Sequence, residues 1–480
     1  MRSPSSQAQS SAQAYLPIPI PSFDSLKHRR QQLAQIFPHP VILWSGASAA
    51  RNFPANVYPL RSNSNFIYFA GYPLENAAIR LEDGHLELYL DNPAPDSALW
   101  HGPEPSRHEI ADAIGAKQAF PMVELKGRAD GAATILVQDG ATQQKQRSVL
   151  NRSVEVASHA DGLDHDLVLA IASLRLTHDD DALSEIRKAV SITIEAHKAG
   201  MRATGQQTHE SGVRAAIEQV ILAHDMTCAY NSIVTVHGEV LHNNHYYHSI
   251  QPGDLLLADV GAETASGWAA DVTRTWPVSG RFSDSQRAIY RVVLEAHDAC
   301  IAATKPGVEY REIHMIAAQV IAEGLKDLGI LRGNPEILVE QDAHALFFPH
   351  GVGHLLGLDV HDMEDLGDFA GYAPGRTRSD RFGLSYLRLD RPLQAGMLVT
   401  IEPGFYQVPA ILNHPEWRQR YQDMVNWERL ADFADVRGIR IEDDVLVTAT
   451  GYEVLTRSLP TGITDIESLV KNSGTASLKG

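Results

Sequence analysis

Residues 348–362 read F-P-H-G-V-G-H-L-L-G-L-D-V-H-D, and the reading of the whole chain turns on this stretch. His350, His354 and His361 fall within 12 residues, among three glycines and five aliphatic residues. Glycine lets a backbone pass close to a bound group. Neutral imidazole serves both as a metal ligand and as a proton carrier near pH 7. A single buried histidine is usually just a hydrogen-bonded core residue. Three of them, in a chain that also offers the carboxylates below, read as an active-site wall.

Four acidic residues sit where strands are expected. Asp259 ends the apolar run L-L-L-A-D-V-G, and Asp271 lies in W-A-A-D-V-T-R-T-W, with a turn at 263–267 between them. A hairpin would set these two acids side by side across the ladder. Such a pair repels and is costly to bury, and a cation would resolve the conflict. Glu402 follows a strand whose apolar run suggests full burial, in G-M-L-V-T-I-E-P-G-F-Y, and Glu442 lies in G-I-R-I-E-D-D-V-L-V. Arg440 is two residues before Glu442, on the same face of a strand, so it is expected to fix that carboxylate from behind. Four hard oxygen ligands and one imidazole, His354, suit Mn²⁺, with Co²⁺, Zn²⁺ and Fe²⁺ as alternatives. Four negative charges balance two divalent ions. Two metals roughly 3.5–4 Å apart can share a water and yield hydroxide at neutral pH, which hydrolyses an amide or a phosphoester. No phosphate-cradling glycine motif or G-x-S-x-G elbow points elsewhere.

Length and composition bound the rest. A chain of 480 residues, 44% apolar and 21% charged, is expected to form two globular domains. The formal charge of −18 argues against nucleic acid or an anionic membrane as a partner. Two cysteines, Cys228 and Cys300, fit a reducing compartment, so the cytoplasm is the expected location. No apolar run is long enough to span a bilayer. Residues 1–14 form a polar tail without the apolar core of a secretory signal and are expected to be disordered.

Residues 15–175 read as a mixed α/β domain, with short strands expected at 41–45, 66–70, 78–81, 86–90 and 133–137. Residues 176–470 read as a second domain of α+β class. T-H-D-D-D at 177–181 is an acidic helix cap, and the helix after it can stop at Gly200. A second helix is expected over 210–224, then strands at 232–236, 255–260 and 268–276. The same order recurs: helices at 283–303 and 310–325, then strands at 397–402 and 439–448. Two similar units would each bring two carboxylates to a shared interface.

The C-terminal part resembles the pita-bread metallopeptidases, in the branch of aminopeptidase P and prolidase. The resemblance rests on L-L-A-D-V-G…A-A-D-V-T-R-T-W, H-G-V-G-H-L-L-G-L-D-V-H-D, T-I-E-P-G and I-R-I-E-D-D. Y-P-L-R-S-N-S-N-F-I-Y-F-A-G-Y and A-L-W-H-G resemble the N-terminal domain of that family. It implies a pita-bread catalytic domain with pseudo-two-fold halves behind an aminopeptidase P-like α/β domain. Asp271 and Glu442 would bridge two metals, Asp259 would bind one, and His354 and Glu402 the other. Glu402 would also take a proton from the bridging water, His361 would stabilise the oxyanion, His242 would help pass a proton, and His350 would line the substrate pocket. The interval from Asp259 to Asp271 is one residue longer than the family pattern, which an extra turn residue or a bulge at 263–267 would absorb.

The implied substrates are peptides with proline second, whose tertiary amide lacks the N–H that ordinary peptidases use. Within the branch two features diverge. The N-terminal domain resembles aminopeptidase P. The region around Y-L-R-L-D-R-P-L-Q-A-G-M, with a long insert at 407–437, resembles prolidase, where an arginine matching Arg388 helps hold the dipeptide carboxylate. The larger match favours aminopeptidase P. The same resemblance implies a homo-oligomer, dimer or tetramer, in which Trp100 reaches a neighbouring subunit's site, and counts Arg440 among the residues facing substrate. Pita-bread proteins without metal exist as binding proteins, but here all five ligand positions are filled.

Overall fold

The computed structural model describes Leu16 and residues 18–471, so the tail expected over 1–14 lies outside the described residues. The chain forms two compact units. One holds the chain up to Val156 with Ala160–Leu167, and the other holds Ala157–His159 and the chain from Val168 onward. Among the described residues no helix is long and apolar enough to cross a membrane.

The first unit is built on a five-stranded sheet in the order Gln118–Phe120, His85–Tyr89, Ala78–Glu82, Val41–Trp44, Ala133–Thr134. Its two central pairings are antiparallel and its two edge pairings parallel. Ile42, Trp44, Ala78, Tyr89, Leu125 and Val137 pack into its core. The strand expected at 66–70 is instead the helix Ser64–Ala70. Asn63 caps it by accepting from the Asn65 and Phe66 N–H groups, and Gly71, at φ 77°, ends it. All seven residues are buried, so neither helical nor strand periodicity survives in the sequence. The buried guanidinium groups of Arg29 and Arg30 donate to the carbonyls of Tyr68 and Phe69 at its C-terminal end, where a cation is favoured.

The second unit repeats one motif, two helices followed by a three-stranded antiparallel sheet. First come the helices Asp180–Ala203 and Glu210–Leu222, with Leu255–Asp259 between Thr273–Pro277 and Ile233–Thr235. Then come Asp284–Ala303 and Tyr310–Asp327, with Asp443–Val447 between Leu398–Ile401 and Tyr452–Val454. Asp179 caps the first leading helix as the sequence suggests, and Ser283, expected inside the second, caps that one. Gly200 does not end its helix, which runs on to Ala203. It is there for packing: a Cβ at Gly200 would lie 2.5 Å from Cγ1 of Ile217 on the next helix. Gly324 meets Val292 in the same way in the second pair, at 2.6 Å. Each helix pair thus closes on a glycine. The segment expected to be one strand at 439–448 is two, Gly438–Arg440 and Asp443–Val447, which pair with different partners and leave Glu442 between them.

Gly200→Val should therefore lower the thermal unfolding midpoint, by an overpacking cost of about 1–3 kcal/mol. An unchanged midpoint would mean that the helix pair is not closed on this residue.

Candidate metal centre

The hairpin that carries Asp259 and Asp271 keeps one register throughout. Asp259 faces Thr273. Beyond it, the Val260 N–H donates to the Val272 carbonyl and the Ala270 N–H to the Ala262 carbonyl, each at 3.0 Å. There is no bulge. The long interval is taken up by the turn at 264–268, closed by the Gly267 N–H on the Thr264 carbonyl at 2.8 Å. The two acids are therefore not cross-strand partners, as the sequence suggested. Asp271 stands opposite Gly261, and the acids are diagonal neighbours on one face. The Tyr230 hydroxyl joins them, 2.6 Å from Asp259 and 2.5 Å from Asp271. Gly261 is required there, since a Cβ would sit 1.7 Å from the Ala270 carbonyl oxygen.

His354 and Glu402 meet because the histidine-rich stretch runs in irregular but extended form along the strand Leu398–Ile401. The Leu356 N–H donates to Leu398, the Thr400 N–H to His354, and the Glu402 N–H to Val352, at 3.1, 3.0 and 2.8 Å. Gly353 permits this approach, because a Cβ would lie 2.2 Å from both the Thr400 carbonyl oxygen and the Tyr310 hydroxyl. The Nδ1–H of His354 donates to the Leu355 carbonyl at 2.9 Å. That bond fixes the tautomer and leaves the Nε2 lone pair facing Asp271 at 3.4 Å and Glu402 at 3.6 Å. Glu442 accepts from the Thr273 hydroxyl at 2.7 Å. One ligand atom each from Asp271, His354 and Glu442 lie within 4.8 Å of one another, all three residues buried.

Burial and mutual repulsion raise three of the acids. Burial, then the charge of Asp259, pushes the Asp271 carboxyl up to about 8. Burial first, and then the neighbouring acids, pushes Glu402 up to about 7 and Glu442 well above the carboxylate range. Asp443, the next residue, behaves oppositely. Burial acts to raise it too, but the Arg274 guanidinium, 2.7 Å away, holds it below the ordinary range. What distinguishes the two cases is a counterion. The donor set, four carboxylates and one oriented imidazole, fits divalent metal.

Arg440 does not serve Glu442. It donates to Asp259 at 2.5 Å, to the Thr273 hydroxyl at 2.9 Å and to the Tyr406 hydroxyl at 3.0 Å. The strand breaks at 441–442 and changes pairing partner there, so the alternation that would place Arg440 and Glu442 on one face does not carry across. All five expected ligands line a single cavity of about 440 Å³, together with His242, His350, His361, Arg388 and Arg440. His350 is held by the Tyr406 hydroxyl at 2.8 Å, and burial, helped by Arg440, pushes its imidazole down to about 3. His361 donates from Nδ1 to Glu364 at 2.6 Å and packs edge-on against the His354 ring. Arg388 donates to Glu364 at 3.2 Å. Trp100 is not among the lining residues; it lies on the short helix Ser97–His101 of the first unit and is 75% exposed. Sequence reasoning missed Tyr230, Tyr406 and Tyr386, and it missed that the 407–437 insert supplies Val408 and Ile411 to the cavity wall.

Residues 184–449 match the sequence profile of metallopeptidase family M24, and residues 26–134 match that of the aminopeptidase P N-terminal domain. The chain belongs to metallopeptidase family M24. Its relatives include the probable Xaa-Pro aminopeptidase PEPP of Phaeosphaeria nodorum, 32% identical over 86% of this chain and 88% of that protein. The probable Xaa-Pro aminopeptidase of Sordaria macrospora is 31% identical, with the same two coverages. Among solved structures, aminopeptidase PepP of Pseudomonas aeruginosa superposes with a TM-score of 0.76 at 28% identity, covering 94% of this chain and 98% of that one. Aminopeptidase P of E. coli with the inhibitor Pro-Leu gives 0.76 at 27%, over 94% and 99%. The fold is thus that of aminopeptidase P, an N-terminal domain followed by a pita-bread domain.

Two variants test the metal centre. Asp271→Ala should lose bound metal, measured by elemental analysis after dialysis. Arg440→Met, which frees Asp259, should weaken metal affinity by about 10–100-fold. Full metal content in Asp271→Ala would contradict the assignment.

Proposed function

We propose that this protein is an Xaa-Pro aminopeptidase, a metal-dependent exopeptidase that removes the first residue from peptides with proline second. The reading is carried by one observation, the convergence of Asp259, Asp271, His354, Glu402 and Glu442 on a cavity that also presents three further histidines. The names of the relatives support the substrate class. When bound, two divalent ions, with Mn²⁺ the best match to this donor set, would polarise the scissile carbonyl and acidify the attacking water.

The protein's own groups then have distinct work. Glu402, on the cavity wall beside the other acids, is placed to take a proton from the attacking water and give it to the proline nitrogen as the C–N bond breaks. His361, anchored through Nδ1 to Glu364, would give an Nε2–H to the carbonyl oxygen that gains negative charge when its ring is in the imidazolium form, in which both nitrogens donate. His350, held as neutral imidazole beside Tyr406, lines the pocket without adding charge, and His242 is left to move a proton. Arg440 orders Asp259 and, from the same cavity wall, faces the substrate. Free thiols at Cys228 and Cys300 fit a cytoplasmic enzyme. We place Trp100 at a subunit contact of a dimer or tetramer, where its exposed indole would reach the partner's cavity.

Arg388 on the cavity lining keeps prolidase as the second reading. Its guanidinium already serves Glu364, which leaves it less free to grip a terminal carboxylate. An assay of Mn²⁺-loaded protein on an Xaa-Pro dipeptide and on the same sequence extended by several residues separates the two. The extended peptide should be cut after its first residue. Cleavage of the dipeptide alone would make the enzyme a prolidase.

A further inference from the structure

His350 and His361 are each held by a side-chain hydrogen bond, to Tyr406 and Glu364. The His242 ring has no such bond among the described residues, though it lines the cavity. No side-chain hydrogen bond among the described residues fixes the ring, so its placement depends on the backbone that carries it. That backbone belongs to an irregular segment, residues 236–248, which leaves the strand Ile233–Thr235 and returns where Ser249 bridges His209. Loops of this length open readily unless something ties their ends.

One buried carboxylate ties both. Glu210, the first residue of the helix Glu210–Leu222, is fully buried. Its Oε1 accepts from the Thr235 hydroxyl at 2.9 Å and from the Val236 N–H at 2.8 Å, on the outgoing limb. Its Oε2 accepts from His248 Nδ1 at 2.8 Å, on the returning limb. From this neck a strut reaches the tip: Asn243, next to His242, donates to the Thr235 hydroxyl oxygen at 2.9 Å. The outgoing limb is also pressed on the strand Gly438–Arg440, so closely that a Cβ at Gly438 would lie 2.3 Å from the backbone of Gly238. His242 and Arg440 are thereby set in one frame.

We infer that Glu210 is a positioning residue for peptide hydrolysis, acting through His242. The inference rests on the proposed role of His242 in that reaction. Charge-assisted hydrogen bonds from a buried carboxylate are among the strongest available, and all three of its partners would lose them together.

The test is a double-mutant cycle on the metal-loaded full chain with an Xaa-Pro peptide, with metal content measured alongside. Glu210→Ala should lower kcat about 10–100-fold, the scale of a misplaced group of about 1 Å, and leave metal content unchanged. Glu210→Gln should recover to within about threefold, because its amide oxygen can serve Thr235 and Val236 while its NH₂ turns to His248. In a His242→Ala background, Glu210→Ala should cost less than about a further twofold. Equal cost with and without His242 would overturn the inference, since a general structural defect would not depend on that ring. Asn243→Ala cuts the strut and leaves the buried neck intact. It gives the same cycle should Glu210→Ala fail to fold, and additivity there would equally overturn the inference. If His242→Ala alone leaves kcat unchanged, the role of His242 in hydrolysis is wrong and the inference falls with it.

Discussion

Mutual repulsion among four carboxylates, two buried and two partly buried, is the constraint around which the catalytic unit is organised. Asp259, Asp271, Glu402 and Glu442 face one cavity, and among the described residues the Arg440 guanidinium donates to Asp259 and to none of the other three. Burying charge without compensation is costly, and a group in that position takes up a proton instead. The raised carboxyls of Asp271, Glu402 and Glu442 are that response, and the settled Asp443 beside Arg274 shows what a counterion changes.

Holding such a cluster together requires a rigid frame, and the two repeated halves provide it. One half contributes a hairpin of unbroken register, the other a strand flanked by the histidine-rich stretch. Arg274 crosses between them. Fully buried, it donates to the backbone carbonyls of Thr273, Glu442 and Leu459 and to the Asp443 carboxylate. The binding free energy of metal can then be spent on a site whose ligands are already in place.

Much of this was legible in the sequence because ligands sit at strand ends beside runs that must be buried. The acids and the histidine that meet in one cavity, the two helix pairs and the repeated order of elements follow from such patterns. What was not legible depends on contacts between distant segments. Ser64–Ala70 is buried on every side, so its composition carries no period. Gly200 looks like a helix stop, and only the approach of Ile217 explains it. Arg440 and Glu442 are two apart, which suggests one face, but the chain changes partners between them and sends the guanidinium to Asp259. Tyr230 joins two acids 29 and 41 residues away, and no local spacing marks it.

The account's central claim is that cations replace protons on these acids. Calorimetric titration of Mn²⁺ into chelator-treated protein near pH 7, repeated in two buffers of different ionisation enthalpy, tests it directly. Asp271, with its carboxyl raised to about 8, holds a proton at that pH and must release it to bind metal, and Glu442 is raised well above the carboxylate range in the same direction. The account predicts about two ions bound per chain, with a buffer-dependent heat that reports proton release. Binding with no proton release, or no binding at all, would contradict it.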